Sequence, residues 1–360
     1  MVLRADNQEP RDGRRLFWRG RRVFVTGHTG FKGAWLSKIL ETAGAAVTGY
    51  ALEPPTKPNL FDILQPDIRS IIGDIRDYDS LSSAMREAAP EVVFHMAAQP
   101  LVLESYKKPA YTYETNVMGT VNLLECVRQA GGVKSLLNVT TDKVYLNRDR
   151  AEGYREDEQL GGYDPYANSK SCCELVTESY KNSFLSDMGV AVSTARSGNV
   201  IGGGDFAENR IIPDCVKATT CGEVIKIRNP KSVRPFQHVL DTLFAYLLIA
   251  KRQHGDAAYA GNYNIGPDAH DCRASGELAT MFCKAWGDGA VWEGVSVDAP
   301  REDTVLTLDC GKIARVLGWR QRWDIKTAIE ETVAWYRAFY SGGDARGFAV
   351  RQIERYEEAL

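Results

Sequence analysis

Arg22-Val23-Phe24-Val25-Thr26-Gly27-His28-Thr29-Gly30-Phe31-Lys32-Gly33 joins a short strand-like run to a loop with a glycine at every third position. Apolar residues follow at helical spacing up to Gly44, a residue type that often lies just past the end of a helix. A second strand-like run covers residues 47–52. The start of the chain therefore predicts a strand, a glycine loop, a helix and a second strand.

The same alternation continues along the chain. Helical periodicity predicts helices at residues 117–129 and 166–185. Strands that alternate with helices form a parallel sheet that is covered on both faces. The predicted fold class is α/β, a doubly wound parallel sheet. Short apolar runs predict the other strands, at residues 71–74, 92–95, 135–140, 191–195 and 263–265.

Composition excludes several classes of protein. The 360 residues include 44 Lys and Arg against 47 Asp and Glu, a net charge of −3. This balance argues against a protein that wraps nucleic acid or coats an anionic membrane. No apolar run approaches the roughly 20 residues of a membrane-spanning helix. An intracellular, cytoplasmic enzyme is the class that remains.

The eight cysteines form no CxxC pair and no cluster with the spacing of a zinc site, so we predict no metal site. Reduced, mostly buried thiols fit an intracellular protein. Residues 1–20 carry several arginines and lack the apolar segment of a secretion signal. We expect this segment to be a solvated basic tail.

The glycine loop is a candidate dinucleotide site. Gly27, Gly30 and Gly33 would allow a tight turn and let a pyrophosphate approach the amides at a helix N-terminus. A purely structural turn is the alternative. Glu53 lies 20 positions after Gly33, where a carboxylate could bind an adenosine ribose and favour NAD over NADP, but it could equally be an ordinary loop residue. Asp74 is a candidate for the adenine edge.

A second group of residues carries acid–base chemistry. Tyr166 and Lys170 are four positions apart, on one face of the predicted helix. The lysine would lower the pKa of the phenol so that it can act as a base. Thr141-Asp142-Lys143 follows the predicted strand at 135–140. Taken alone, the Tyr166 and Lys170 pattern is usually a pair of surface residues, and Asp142 with Lys143 is more often a plain strand-end ion pair.

With these motifs, the chain resembles the extended short-chain dehydrogenase/reductase family, also known as the NAD-dependent epimerase/dehydratase family. The resemblance runs from about residue 17 to about residue 340. It implies NAD as cofactor and a nucleotide sugar as substrate. Further segments that match the family pattern are His95-Met96-Ala97-Ala98, Thr115-Asn116-Val117-Met118-Gly119-Thr120 and Arg196-Ser197-Gly198-Asn199-Val200.

The resemblance also implies a Rossmann-type doubly wound parallel sheet with a smaller, interleaved C-terminal substrate-binding domain. Residues 21–195 would form the NAD-binding Rossmann domain, to which residues 236–266 return. Residues 196–235 and 267–360 would form the nucleotide-sugar-binding domain. A homodimer or homotetramer is implied, with the helices at 117–129 and 166–185 as the contact surface.

The matching motifs imply a 4,6-dehydratase that converts CDP-glucose to CDP-4-dehydro-6-deoxy-glucose, for deoxysugar and lipopolysaccharide O-antigen synthesis. Tyr166 would take the C4 hydroxyl proton, and Lys170 would tune it and hold the nicotinamide ribose. Thr141 would bind the C4 oxygen. Asp142 would protonate the leaving C6 hydroxyl, while Lys143 would remove the C5 proton, which requires a lysine pKa well below about 10.4.

The family pattern also assigns binding residues. Arginine side chains suit the substrate diphosphate because they bind oxygen pairs in a bidentate way. The cofactor set is Gly27, Thr29, Gly30, Phe31, Lys32, Gly33, Glu53, Asp74, Ile75, Ala97, Ala98, Gln99, Asn116, Thr140, Tyr166 and Lys170. The substrate set is Asn199, Arg210, Arg228, Arg234 and Arg301.

Other functions stay open at this stage. Another nucleotide-sugar dehydratase or an epimerase would share most of these motifs, and a non-catalytic NAD-binding regulator is a third possibility. The dTDP-glucose dehydratases resemble the chain but carry glutamate at the position of Lys143. Leu103, Leu146 and Phe236 depart from the usual pattern and bear on the preferred substrate.

Overall fold

The computed structural model describes residues 11–150, 152–295 and 305–360. Its centre is a sheet of seven strands in the order β11-β6-β5-β4-β1-β2-β3, in which every neighbouring pair is parallel. These strands are β1 (Arg22–Thr26), β2 (Ala46–Ala51), β3 (Arg69–Ile72), β4 (Val92–His95), β5 (Ser135–Val139), β6 (Ala191–Ser197) and β11 (Asn262–Ile265). The predicted α/β fold class is confirmed.

Helices cover both faces of this sheet. Alternate residues of β1 enter two different apolar cores: Val23 and Val25 face one, and Phe24 faces the other. The helices are α1 (Arg11–Trp18), α2 (Phe31–Thr42), α3 (Leu60–Leu64), α4 (Tyr78–Ala88), α5 (Val102–Lys107), α6 (Pro109–Tyr113), α7 (Gly119–Ala130), α8 (Pro165–Tyr180), α9 (Ile211–Thr220), α10 (Val239–Gly255), α11 (Ser275–Trp286), α12 (Gly311–Leu317), α13 (Ile325–Tyr340) and α14 (Ala345–Glu358). None of the described helices is long and apolar enough to cross a membrane.

Short strands outside the main sheet shape the C-terminal half. They form two-stranded pairs that join β7 to β10, β9 to β12 and β8 to β13. Their bounds are β7 (Val200–Ile201), β8 (Ile225–Ile227), β9 (Val233–Arg234), β10 (Gln237–His238), β12 (Arg273–Ala274) and β13 (Trp292–Gly294).

The bounds of the main-sheet strands agree with the predicted ones to within two residues. β1 and β4 match them residue for residue. β3 begins two residues earlier than predicted, because it is a largely exposed edge strand whose start carries Arg69 and Ser70 rather than apolar side chains. The two predicted helices are interrupted by π-helical turns, Glu114–Met118 before α7 and Lys181–Leu185 after α8.

The N-terminal segment differs from the solvated tail that we expected. Residues 11–18 form α1, and Trp18 is buried against the main apolar core. Arg15 also pairs with Glu357 of α14 at 2.5 Å. The free energy gained by burying the apolar surface of Trp18 outweighs the tendency of the neighbouring arginines to remain in water. Residues 1–10 lie outside the described residues.

A late part of the chain returns to the sheet. β11 lies beside β6, and α10 packs against β5, β6 and α2. The division of the chain into an NAD-binding and a sugar-binding domain stays a prediction.

Asp241 of α10 gives a test of this packing. The side chain is fully buried, and it accepts hydrogen bonds from the Tyr356 hydroxyl at 2.6 Å and the Arg322 amide at 2.7 Å. Burial raises the pKa of Asp241 from 3.8 to about 7. The folded state therefore holds this proton more tightly than the unfolded state, and its stabilising effect is lost as the pH rises from about 4 to above 7.

We expect D241N to remove this pH dependence, since the amide keeps the acceptor oxygen and does not titrate. Between pH 4 and 8 the wild type should lose up to about 4 kcal/mol of unfolding free energy relative to D241N. Urea unfolding at a series of pH values measures the difference. D256N, at the exposed C-terminal end of the same helix, is the matched control and should follow the wild type. Parallel profiles for wild type and D241N would contradict the assignment.

Candidate active site

The carboxyl ends of the parallel strands meet at one edge of the sheet, where α/β proteins bind ligands. The loop of residues 27–30 links β1 to α2 at this edge. Gly27 has a φ of +77°, and a Cβ there would lie 2.8 Å from the Ala97 backbone nitrogen. A Cβ at Gly33 would lie only 2.0 Å from the Gly27 carbonyl oxygen. The loop and the first turn of α2 therefore pack at a distance that only glycine allows.

This loop fits a dinucleotide pyrophosphate. Gly30 precedes α2 and provides no side chain to cap the helix, so no side chain competes for the first amides. A helix N-terminus of this kind attracts phosphate through its amides and its dipole. Phe31 and Lys32, the first residues of α2, line the adjacent cleft. Thr29 holds the loop to the end of β2 through a 2.8 Å hydrogen bond to the Leu52 carbonyl.

Three other predicted cofactor residues differ in their exposure and in their contacts. Glu53 is exposed beyond the end of β2, so both interpretations of this residue stay open. The Asp74 carboxylate is held by Arg76 at 2.6 Å, which lowers its pKa. Ile75 is buried and packs on Gly119, where a Cβ would lie 2.6 Å from it.

Gln99 and Asn116 support the loop after β4 rather than line the cleft. The Asn116 side chain accepts from the Gln99 amide at 2.7 Å, and it donates to the Gln99 carbonyl and to Ser169. Both residues are buried. Ala97 and Ala98 belong to the same loop, and the Ala97 amide donates to Thr26 at 3.1 Å.

The predicted catalytic residues lie together at the end of β5. Thr141, Asp142 and Lys143 form a tight turn that lines a cleft of about 890 Å³, and Tyr166 of α8 lines the same cleft. The Asp142 oxygen Oδ1 accepts from the Thr141 hydroxyl at 2.9 Å and from Lys143 Nζ at 3.0 Å. Asp142 Oδ2 is buried and has no hydrogen-bond partner among the described residues.

One prediction about this cluster is wrong. We expected Lys170 to lower the pKa of Tyr166, but burial raises it to about 12, opposed chiefly by a hydrogen bond with Thr141. Lys170 is itself buried, and its Nζ donates to the Val139 carbonyl at 3.0 Å. Lys32 is a further cation at the cleft, and its side chain is partly buried. Burial, with the nearby charges of Lys170 and Arg210, lowers its pKa to about 7.

The described members of the substrate set line the same cleft. Asn199, Arg210, Arg228 and Arg234 all face it. Arg210 is held by Asp205 at 3.0 Å. Arg301 lies outside the described residues.

Sequence reasoning missed the role of Asp205, which is buried and holds Arg210 in place. An acidic residue directly after Gly202-Gly203-Gly204 was the available signal. Leu103, Leu146 and Phe236, the departures from the family pattern, also line the cleft. Their positions agree with an influence on substrate preference.

Comparison with known proteins places this cleft in a family. The family model for GDP-mannose 4,6 dehydratase matches residues 24–332. The chain therefore belongs to that family of extended short-chain dehydrogenases/reductases, as the motifs predicted.

Two individual relatives match most of this chain. A CDP-glucose 4,6-dehydratase of Salmonella typhimurium is 46% identical over 351 residues, which cover 95% of this chain and 98% of the relative. A dTDP-glucose 4,6-dehydratase of Streptomyces antibioticus is 30% identical, and the match covers 88% of this chain and 92% of that protein.

Solved structures agree with the fold. The dTDP-glucose 4,6-dehydratase of Streptomyces venezuelae, with NAD and TYD bound, matches with a TM-score of 0.77 at 27% identity, over 89% of this chain and 98% of that one. The UDP-glucose 4-epimerase of Thermus thermophilus, in complex with NAD, matches with a TM-score of 0.77 at 26% identity, over 88% and 99% of the two chains.

The glycine loop gives a test of the packing that forms the site. We expect G33A to lower the unfolding free energy by about 1–3 kcal/mol or more, because the new methyl group meets a backbone carbonyl that cannot move aside. G30A should stay close to wild type, since its Cβ would lie 3.4 Å from the nearest atom. Thermal unfolding compares the two. Equal stability of G33A and G30A would contradict the packing argument.

Proposed function

We propose that this chain catalyses the NAD-dependent dehydration of CDP-glucose to CDP-4-dehydro-6-deoxy-glucose. The observation that carries the proposal is the turn of Thr141, Asp142 and Lys143 beside Tyr166 in one cleft. The CDP-glucose 4,6-dehydratase of Salmonella typhimurium, which matches nearly the whole chain, supports the choice of nucleotide.

NAD supplies a hydride acceptor and donor to this reaction. The N-terminus of α2, the loop at Gly27 and the buried Lys170 are the groups that would hold it. The glycine cradle and the uncapped helix start fit its pyrophosphate.

Tyr166 and Thr141 act at C4 of the sugar in this proposal. The Tyr166 hydroxyl oxygen takes the proton of the C4 hydroxyl, and Thr141 holds the C4 oxygen. Burial raises the pKa of this phenol and so disfavours the phenolate that would act as the base. Positive charge in the cleft acts in the opposite direction and favours the ionised form. Arg210, a partly buried cation that lines the cleft, supplies such charge to Tyr166.

Asp142 and Lys143 remove water across C5 and C6. Lys143 takes the C5 proton, and Asp142 gives a proton to the C6 hydroxyl as that group leaves as water. When C6 is reduced, Lys143 returns its proton to C5, so Asp142 is the member of the pair that ends the cycle one proton short. The ketone at C4 makes the C5 proton acidic. Transfer of one proton along the 3.0 Å bond from Lys143 to Asp142 converts the ion pair into a neutral amine and a neutral acid. The pair can thus provide both the base and the acid.

The same pair separates dehydration from epimerisation, because an epimerase needs no acid–base pair at this position. A non-catalytic regulator would need neither the pair nor Tyr166. Both alternatives are outcomes of the labelling experiment below.

We also propose a homodimer or homotetramer in the cytoplasm. Large apolar side chains are exposed on the helical segments 114–130 and 165–185, namely Met118 (51%), Leu175 (62%) and Phe184 (45%). Exposed apolar patches of this kind mark contact surfaces.

All eight cysteines are free thiols, which fits a reducing compartment, although only Cys126, Cys173 and Cys215 are buried. A role in O-antigen synthesis stays a prediction.

CDP-glucose with deuterium at C4 tests the reaction. Mass spectrometry and NMR should find the label at C6 of a 4-keto-6-deoxy product, with no cofactor consumed. The dTDP-, UDP- and GDP-glucose substrates, run in parallel, test the choice of base and should react more slowly. Return of the label to C4 would indicate an epimerase. Absence of turnover with all four sugars would indicate the regulator.

K143A tests the assigned base. The variant should keep partial oxidation at C4, but water loss should fall by about 10²–10⁴-fold because no group remains to take the C5 proton. K107A is the control, since Lys107 also lines the cleft but is exposed at its edge beside Glu104. Elimination by K143A at the wild-type rate would overturn the assignment.

A further inference from the structure

We propose that Glu174 and Arg196 form a buried ion pair that positions the catalytic turn of residues 141–144. Both are positioning residues, since neither lines the cleft. The inference deepens the proposed function and rests on it, because it assumes that the turn carries out the elimination.

Glu174 binds the residue that precedes the turn. Its carboxylate oxygen Oε1 accepts a short hydrogen bond from the Thr140 hydroxyl. The other oxygen accepts from Arg196 at 2.9 Å and from Thr194 at 2.7 Å. Glu174 is 3% exposed, so these bonds lie out of water. The start of the turn is therefore fixed to α8 and to β6.

Arg196 binds the residue that follows the turn. Its Nη1 donates to the Tyr145 hydroxyl at 2.9 Å and to the Glu156 carbonyl at 3.0 Å. The Tyr145 hydroxyl in turn donates to Asn264 Oδ1 at 2.6 Å, on β11. Thr140 and Tyr145 are thus the two ends of one short segment, and the two members of the ion pair each hold one end.

The same helix face supplies the other contacts of this segment. Tyr166, Lys170 and Glu174 follow one another at intervals of four residues on α8, so they lie on one face. Lys170 bonds to the Val139 carbonyl, Glu174 bonds to Thr140, and Tyr166 bonds to Thr141. Three side chains spaced along one helix face therefore contact three consecutive residues of the strand end.

Stability alone gives a weak reason to keep such a pair. Removing two charges from water costs several kcal/mol per ion, and apolar residues of similar volume often stabilise a core equally well. An apolar pair would lack directional interactions. Hydrogen bonds fix the positions of Thr140 and Tyr145, whereas apolar contacts would leave them free to shift. The pair therefore contributes geometry where the chemistry depends on it, since a displacement of about 1 Å can cost about 10²-fold in rate.

Three variants loosen the turn at different points. E174Q keeps the shape of the side chain and removes its charge. T140V and Y145F each remove one hydroxyl and keep the ion pair, so they remain informative if E174Q does not fold. T177V is the matched control, because Thr177 is also buried on α8 and bonds at 2.8 Å to Asn138 of β5, upstream of the turn.

With CDP-glucose as substrate, we expect kcat to fall by about 10-fold in T140V and Y145F and by about 100-fold in E174Q, with KM within about threefold. Reduced nicotinamide should persist longer in a single turnover, because elimination slows relative to oxidation at C4. T177V should lose thermal stability but keep the wild-type kcat and the wild-type ratio of the elimination rate to the rate of oxidation at C4. If all three variants keep the wild-type kcat, or lose it only in proportion to their stability as T177V does, the proposal is wrong.

Amide hydrogen exchange tests the positioning without any substrate. Exchange at residues 141–145 should be faster in E174Q and Y145F than in wild type and T177V, whichever sugar the enzyme uses. Unchanged exchange there would overturn the inference and leave the proposed function intact. Failure of wild type to convert CDP-glucose, with faster exchange in the variants, would overturn the proposed function and leave the positioning role supported.

Discussion

Helix α2 lies against the end of β1 at a distance that leaves room for only a hydrogen atom at position 33, because the Gly27 carbonyl oxygen occupies the space of a side chain. This contact sets where the N-terminus of α2 points and hence where phosphate can bind. The loop after β4 is fixed to the same point through Gly27 and Ala97. The catalytic turn after β5 then lies across the cleft from the first turn of α2, with Lys32 of that turn close to Asp142 and Lys170.

The agreement between sequence and structure is closest where a strand is built on a run of apolar residues. β1 and β4 could be predicted residue for residue because residues 23–25 and 92–94 are apolar and buried on both faces of the sheet. The edge strand β3 exposes most of its side chains and gives no such signal. The π-helical turns beside α7 and α8 were not predictable, since helical periodicity does not distinguish one inserted residue from a regular turn.

The residues of the site could be predicted better than their electrostatics. Thr141, Asp142, Lys143 and Tyr166 do lie together in one cleft, because the ends of parallel strands share one edge. The pKa of Tyr166 was predicted in the wrong direction, since the spacing of Tyr166 and Lys170 says nothing of burial or of the Val139 carbonyl. Charged residues such as Glu174 and Arg196 are read as surface groups by default, and only the fold shows that they are buried.

The Thr141 hydroxyl contacts both Asp142 and Tyr166. On the proposed roles, Tyr166 gains one proton from the sugar in each cycle, and Asp142 loses one to the departing hydroxyl. Thr141 lies between donor and acceptor, so a single shift along this hydrogen-bonded chain restores both groups. The proton balance of a whole cycle then closes within these three side chains and Lys143, with no proton taken from bulk water.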